Sequence, residues 1–314
     1  MATSQLAFVF PGQGSQYVGM GQELSVQFAV AKEAFAEADD ALGFFLSKVC
    51  FSGPEADLKL TENTQPAILT ASIAALRVLE KETPLRPTYV AGHSLGEYSA
   101  LVAVGALKFT DAVKVVRERG RLMQQAVPAG QGAMAVVLGL EMDAMVALCA
   151  EASDGEVVAP ANFNGAGQVV IAGTRSAVER TMKLAKERGA KRVLDLPVSA
   201  PFHCELMRPA AEGLKEILRA VAIHPFTVGV ITNVEADVNS GAERVKSLLV
   251  EQAVRPVRWE ESVKKLADLN CDRVLEIGPG KVLKSLMKRI VPAMESDNFE
   301  GPQDLSRIVA AWSQ

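Results

Sequence analysis

One pentapeptide constrains this chain more than any other feature. Gly92-His-Ser-Leu-Gly96 is its only G-x-S-x-G, preceded by the short apolar run Thr88-Tyr-Val-Ala91 and followed by an Ala- and Leu-rich stretch to about Leu107. A strand, a sharp turn and a helix in that order predict a parallel α/β layer. A bulky group on either side of the serine would collide with the neighbouring strand or helix, and glycine stands at both places. Ser94 then projects from the strand end, with the helix N-terminus aiming N–H groups and partial positive charge at the same point. The plainer alternative is a glycine-rich turn whose serine only caps a helix.

The rest of the chain fits the layered scheme. Leu6-Ala-Phe-Val-Phe10 is a short apolar run stopped by Pro11-Gly12, as a buried strand should be. Helical periodicity follows over about 23–38 and 66–80, with Pro66 suited to a first helical turn. Residues 129–198 have another rhythm: strand 132–140, helix 143–152, strands 156–161 and 168–172 around Asn164-Gly165, helix 176–188 and strand 192–197. That βαββαβ order is ferredoxin-like. Pro128-Ala-Gly130 and the stretch from Pro197 to Pro201 serve as hinges on either side. Afterwards the α/β rhythm resumes, with helices near 205–221 and 243–250 and strands at 228–232 and 273–277, the last entering Gly278-Pro-Gly280. The prediction is a discontinuous large α/β domain, 1–128 and 199–314, with a small domain, 129–198, inserted in it.

Composition narrows the function. With 314 residues, 49% of them hydrophobic, the chain can bury a large core; a formal charge of −4 confines any charge-based recognition to local patches. No nucleic-acid partner is expected. No basic leader, signal-length apolar stretch or membrane-spanning run is visible, so a soluble cytoplasmic protein is expected. Cys50, Cys149, Cys204 and Cys271 are widely spaced with no C-x-x-C pair, which speaks against a disulfide framework and a thiolate metal site.

A serine hydroxyl needs a base near neutral pH, and the chain has three histidines. His93 adjoins Ser94, so its ring should point away, and His224 in Ala-Ile-His-Pro-Phe suits a packed or capping role. His203, in Pro201-Phe-His-Cys204, is left as the base, against the alternative of a surface loop histidine. Asp195 and Asp237 are acids by type only. A backbone carbonyl can orient an imidazole as well, so a Ser94–His203 dyad is predicted.

Arg119 is misplaced. The helix starting near 110 carries Ala112, Val115, Val116, Leu122, Met123 and Ala126 on one face, and Arg119 falls among them, while Arg117 and Arg121 point elsewhere. A guanidinium inside an apolar stripe needs an anion. A substrate carboxylate held in two parallel hydrogen bonds would favour a dicarboxylic acyl group; an internal salt bridge or a snorkelling side chain is the alternative.

Two glycine-rich segments fail as nucleotide loops. Gly12-Gln-Gly14-Ser-Gln-Tyr17 has Tyr17 where a dinucleotide fingerprint wants glycine, and Gly278-Pro-Gly-Lys281 lacks the spacing and hydroxyl of a phosphate loop. The first can instead donate an amide: an oxyanion is held by the N–H after the nucleophile plus one from another strand-end loop, here Leu95 and Gln13. A plain tight turn is the competing explanation.

Taken in order, Phe10-Pro-Gly-Gln-Gly-Ser-Gln16, Thr64-Gln-Pro-Ala67, Gly92-His-Ser-Leu-Gly-Glu-Tyr-Ser99, Arg119-Gly120, Asn162-Phe-Asn164 with Gly167-Gln-Val-Val170, Pro201-Phe-His203, Gln252 and Gly278-Pro-Gly280 resemble the motif series of malonyl-CoA:acyl carrier protein transacylases, to about residue 290. The resemblance implies a hydrolase-like α/β domain with a ferredoxin-like insertion. It also implies ping-pong transfer of malonyl from malonyl-CoA through Ser94 to the thiol of holo acyl carrier protein, without a cofactor or metal. It gives Arg119 the malonyl carboxylate, and has Gln252 positioning His203 and lining the pocket. Gln65, Asn162 and Phe202 take supporting positions. A monomer is expected. An acidic carrier would land on basic residues, either Lys284 and Lys288 with Arg289 or the 186–192 cluster. The tail from about 297 to 314 matches no motif. Two other readings stay open: a thioester hydrolase or stand-alone acyltransferase of a polyketide assembly line, and a non-catalytic scaffold that binds acyl carriers.

Overall fold

The computed structural model describes residues 5–312 apart from 129 and 199. In chain order its strands are β1 (Gln5–Phe10), β2 (Tyr89–Gly92), β3 (Gly132–Leu138), β4 (Val158–Gly165), β5 (Gln168–Thr174), β6 (Arg192–Asp195), β7 (Gly229–Ile231), β8 (Val238–Asn239), β9 (Cys271–Ile277) and β10 (Glu295–Phe299). One sheet has the order β10-β9-β1-β2-β7-β8, parallel except for the β7–β8 pair. Phe8 and Phe10 of β1 face one apolar cluster and Ala7 and Val9 the other, because successive side chains leave a strand on opposite faces. Both faces of β1 are therefore covered, which explains the unbroken apolar run that marks it.

The second sheet has the order β4-β5-β3-β6 and is antiparallel throughout. With the helices Met142–Ala152 and Arg175–Glu187 between its strands, it is the ferredoxin-like βαββαβ unit. Ala133, Ala135 and Val137 of β3 pack toward these helices, while Met134 and Val136 pack on the other side against Met123, Met207 and Ala210. The edge strand β4 is tied to the segment around Val257 by backbone bonds, Phe163 N to Val257 O (2.9 Å) and Val257 N to Ala161 O (2.8 Å), so the exposed edge is paired. The expected hinges contain residues 129 and 199, which lie outside the described residues.

Several elements differ from expectation. The single helix over 23–38 is two, Gln22–Gln27 and Ala29–Leu42, broken at Phe28, which is extended (φ −126°, ψ 121°) and packs its ring on the core. Pro66 lies within the helix Thr61–Glu82 rather than in its first turn. A proline has no N–H for the carbonyl four residues earlier, and Arg117 Nη1 donates to that orphan, Glu62 O, at 3.2 Å. Residues 297–312 form most of β10 and the helix Pro302–Trp312, so the unmatched tail is an edge of the main sheet.

Candidate active site

Strand β2 ends at Gly92, and Ser94 sits in the turn before the helix Gly96–Ala103 with φ +52°. A left-handed non-glycine residue costs roughly 1–3 kcal/mol and persists only where its surroundings hold it. Here they do. A Cβ on Gly92 would lie 1.9 Å from Gly96 C, and one on Gly96 would lie 2.0 Å from Phe10 O. Asn233, two residues past β7, clamps the turn: its Oδ1 accepts from Ser94 N at 2.6 Å and its Nδ2 donates to Gly92 O at 2.6 Å.

His203 reaches the same point from the segment that follows β6. It too is left-handed (φ +60°), and its Nε2 lies 2.7 Å from Ser94 Oγ. Its Nδ1 lies 2.7 Å from Gln252 O, so Nδ1 carries the proton and Nε2 is free to accept one. Burial, and then the nearby Arg119 charge, push the imidazole pKa down to about 3. The imidazole is neutral at physiological pH. Asp195 is exposed on β6, and Asp237 pairs with Lys265 at 2.8 Å, so neither acid orients His203. Of the other histidines, His93 Nε2 meets Asn164 Oδ1 of β4 at 2.9 Å, and the His224 amide bonds Ala106 O at 2.8 Å.

Arg119, on the helix Phe109–Gln125, is 2% exposed. Its Nη1 donates to Gln65 Oε1 (2.7 Å), and its Nη2 donates to Gln252 Oε1 (3.0 Å) and to Ser94 Oγ (3.2 Å). Among the described residues no carboxylate forms an ion pair with it, and Nε has no hydrogen-bond partner. A buried cation with only neutral hydrogen-bond partners is costly, and its Nη2 lies beside the Ser94 hydroxyl.

Ser94, His203, Arg119, Gln13, Leu95, Gln65, Asn162 and Phe202 line one cavity of about 100 Å³. The main-chain amides of Gln13 and Leu95 have no acceptor among the described residues. A neighbouring cavity of about 270 Å³ shares Gln13, His93, Asn162 and Leu196 with the first and runs between the small sheet and the start of the helix Val282–Ile290. Gln252 differs from the expectation that it lines the pocket: fully buried, it stands behind Arg119 and joins it to the serine turn. Lys284 also departs from its expected role as a landing charge. Its ammonium is held by Asp297 Oδ1 at 2.6 Å and Asn298 Oδ1 at 3.2 Å, whereas Lys288 and Arg289 are exposed.

Two residues of the site escaped the sequence reading. Asn233 follows a parallel strand at its carboxyl end, where sites of open α/β sheets gather, and that position was the available signal. Glu97, in the first turn after the serine, is buried, and burial outweighs its hydrogen bonds and Arg119 to push its pKa up to about 7.

A serine on a strained strand–helix turn, a neutral imidazole within proton-transfer reach and two open amides define a serine acyl-transfer site. Comparison with known proteins narrows the class: the acyl transferase domain family matches residues 7–300, and the chain belongs to that family. It is 50% identical over 303 residues, 96% of this chain and 95% of the other, to a malonyl CoA-acyl carrier protein transacylase of Bacillus subtilis. The structure superposes with a TM-score of 0.95 on an acyl carrier protein S-malonyltransferase from Vibrio cholerae, 48% identical, covering 97% of this chain and 100% of that one. A malonyl-transacylase solved in complex with its type II PKS acyl-carrier protein gives a TM-score of 0.94 at 45% identity, covering 98% of this chain and 99% of that one.

Proposed function

We propose that this acyltransferase moves a malonyl group from malonyl-CoA to the phosphopantetheine thiol of holo acyl carrier protein, in fatty-acid synthesis, as a cytoplasmic monomer. The observation that carries this reading is Arg119: a buried guanidinium that forms no ion pair among the described residues, 3.2 Å from the Ser94 hydroxyl. A malonyl thioester placed on Ser94 brings a carboxylate within reach of that fork, which an acetyl group lacks.

In the first half-reaction His203 Nε2 takes the Ser94 proton as Oγ adds to the thioester carbon, and the oxyanion turns toward the Gln13 and Leu95 amides. The carbon–sulfur bond breaks, His203 returns the proton to the departing coenzyme A sulfur, and malonyl-Ser94 remains. The second half runs in reverse with the carrier thiol, whose proton passes to His203 and then to Ser94 Oγ. The cavity between the small sheet and the helix Val282–Ile290 offers the thioester arm its approach, with Asn162 and Gln168 on its wall.

Intact-mass measurement after mixing with malonyl-CoA tests this directly. A malonyl adduct that is absent in Ser94→Ala and is discharged by holo carrier protein is the expected result. Release of free malonate at the same rate without carrier would point to a hydrolase, and no adduct would point to a scaffold.

A further inference from the structure

We infer that Glu97 is a positioning residue that fixes the side-chain amide of Gln252 and through it aims Arg119 at the acyl pocket. The reading rests on Arg119 holding the malonyl carboxylate. Gln252 Nε2 donates to Glu97 Oε2 at 2.8 Å and to Ser94 O at 2.9 Å, so both of its protons face acceptors. Its Oε1 is thereby left for Arg119 Nη2 at 3.0 Å. Turned over, the amide would set its oxygen against the carboxylate and the Ser94 carbonyl, and its two protons against a guanidinium that only donates. Because Glu97 Oε2 already accepts from the main-chain N–H of Asn233, it can only accept from Gln252, and it thus selects one of two amide orientations.

The same carboxylate oxygen accepts from Asn233 N at 3.0 Å, and Asn233 holds the serine turn on both sides. One buried atom of the helix after the nucleophile therefore ties together the end of β7 and the end of the helix Ala242–Gln252. Arg119 has few other restraints. Among the described residues its guanidinium nitrogens otherwise hydrogen-bond Gln65 and the Ser94 hydroxyl, and the Tyr98 ring lies 5.4 Å from its central carbon without fixing the rotation of the fork, so a loosened Gln252 amide loosens the fork that selects the acyl group.

Because both hydrogen bonds converge on one oxygen, Glu97→Gln can reproduce them with its amide oxygen, whereas Glu97→Asp keeps the carboxyl group but withdraws the acceptor by one methylene. The measurement is the malonyl-CoA to acetyl-CoA specificity ratio of Ser94 acylation, beside wild type and with melting temperatures recorded. In E97Q the ratio is expected to stay within about threefold of wild type, and in E97D to fall about tenfold, the loss of one charge-assisted hydrogen bond. An E97D ratio no lower than that of E97Q, whatever the absolute rates, overturns the inference. Wild type that fails to take malonyl defeats the functional reading itself, before any variant is compared.

Discussion

The main-chain carbonyl of Gln252 stands 2.7 Å from His203 Nδ1, the place a carboxylate occupies in a serine triad. A carbonyl fixes the tautomer as a carboxylate does, but adds no negative charge to stabilise an imidazolium. Asp195→Asn and Asp237→Asn should accordingly leave kcat/KM for malonyl-CoA within about twofold of wild type, since changes away from the site seldom perturb more. A loss of two orders of magnitude in either would show that an acid acts on His203.

Ser94→Ala should abolish the acyl adduct seen by mass spectrometry. His203→Ala should still form it, but more slowly by about 10²–10⁴-fold, the usual contribution of a positioned general base. Rapid acylation in the histidine variant would mean that another group deprotonates Ser94.

Arg119→Ala should lose malonyl transfer by roughly a hundredfold while acetyl transfer changes far less, since a hydrogen-bonded charge supplies about 1.5–3 kcal/mol. Arg119→Lys should not restore it, because an ammonium cannot present two parallel donors. Equal losses with both acyl groups would make Arg119 a structural residue.

The pH profile carries a sign. Burial and Arg119 depress the His203 pKa from 6.5 to about 3, so the free enzyme keeps its base deprotonated well below neutrality. Log kcat/KM, which reports free-enzyme ionisations, should not turn down with unit slope as pH falls from 7 to 5.5. An acid limb centred near 6.5 that persists in Glu97→Gln would place His203 in a wetter environment, since Glu97 itself is pushed up to about 7. The same shift makes stability rise with pH between about 3 and 6.5, since the unfolded chain binds the proton that the native imidazole refuses.

Gly92→Ala and Gly96→Ala each place a Cβ about 2 Å from backbone atoms that have no room to yield. Overpacking of this kind costs about 1–3 kcal/mol or more. Both variants should melt several degrees lower and lose acylation together. A thermal melt at the wild-type temperature would contradict the packing described.

Much of this site is legible before folding. The glycines around Ser94 follow from steric demands within five residues, and Arg119 betrays itself as a charge at helical spacing in an apolar stripe, later found 2% exposed. The βαββαβ order of the small domain is likewise written in local periodicity. Phe28 was not legible, because its helix break serves the core rather than any turn chemistry. Nor was the engagement of Lys284, whose partner Asp297 lies on a strand the tail gave no sign of forming.

What the sequence alone determined, then, is the set of local geometries: a serine lifted on a tight turn, an arginine on the wrong face, two rhythms of strand and helix. What only the tertiary structure decided is convergence. His203, Asn233 and Gln252 reach the serine turn from 109, 139 and 158 residues away. Hydrogen bonds over such separations leave no period in the chain, because they depend on where the parallel sheet delivers its strand ends and not on the spacing of neighbouring side chains.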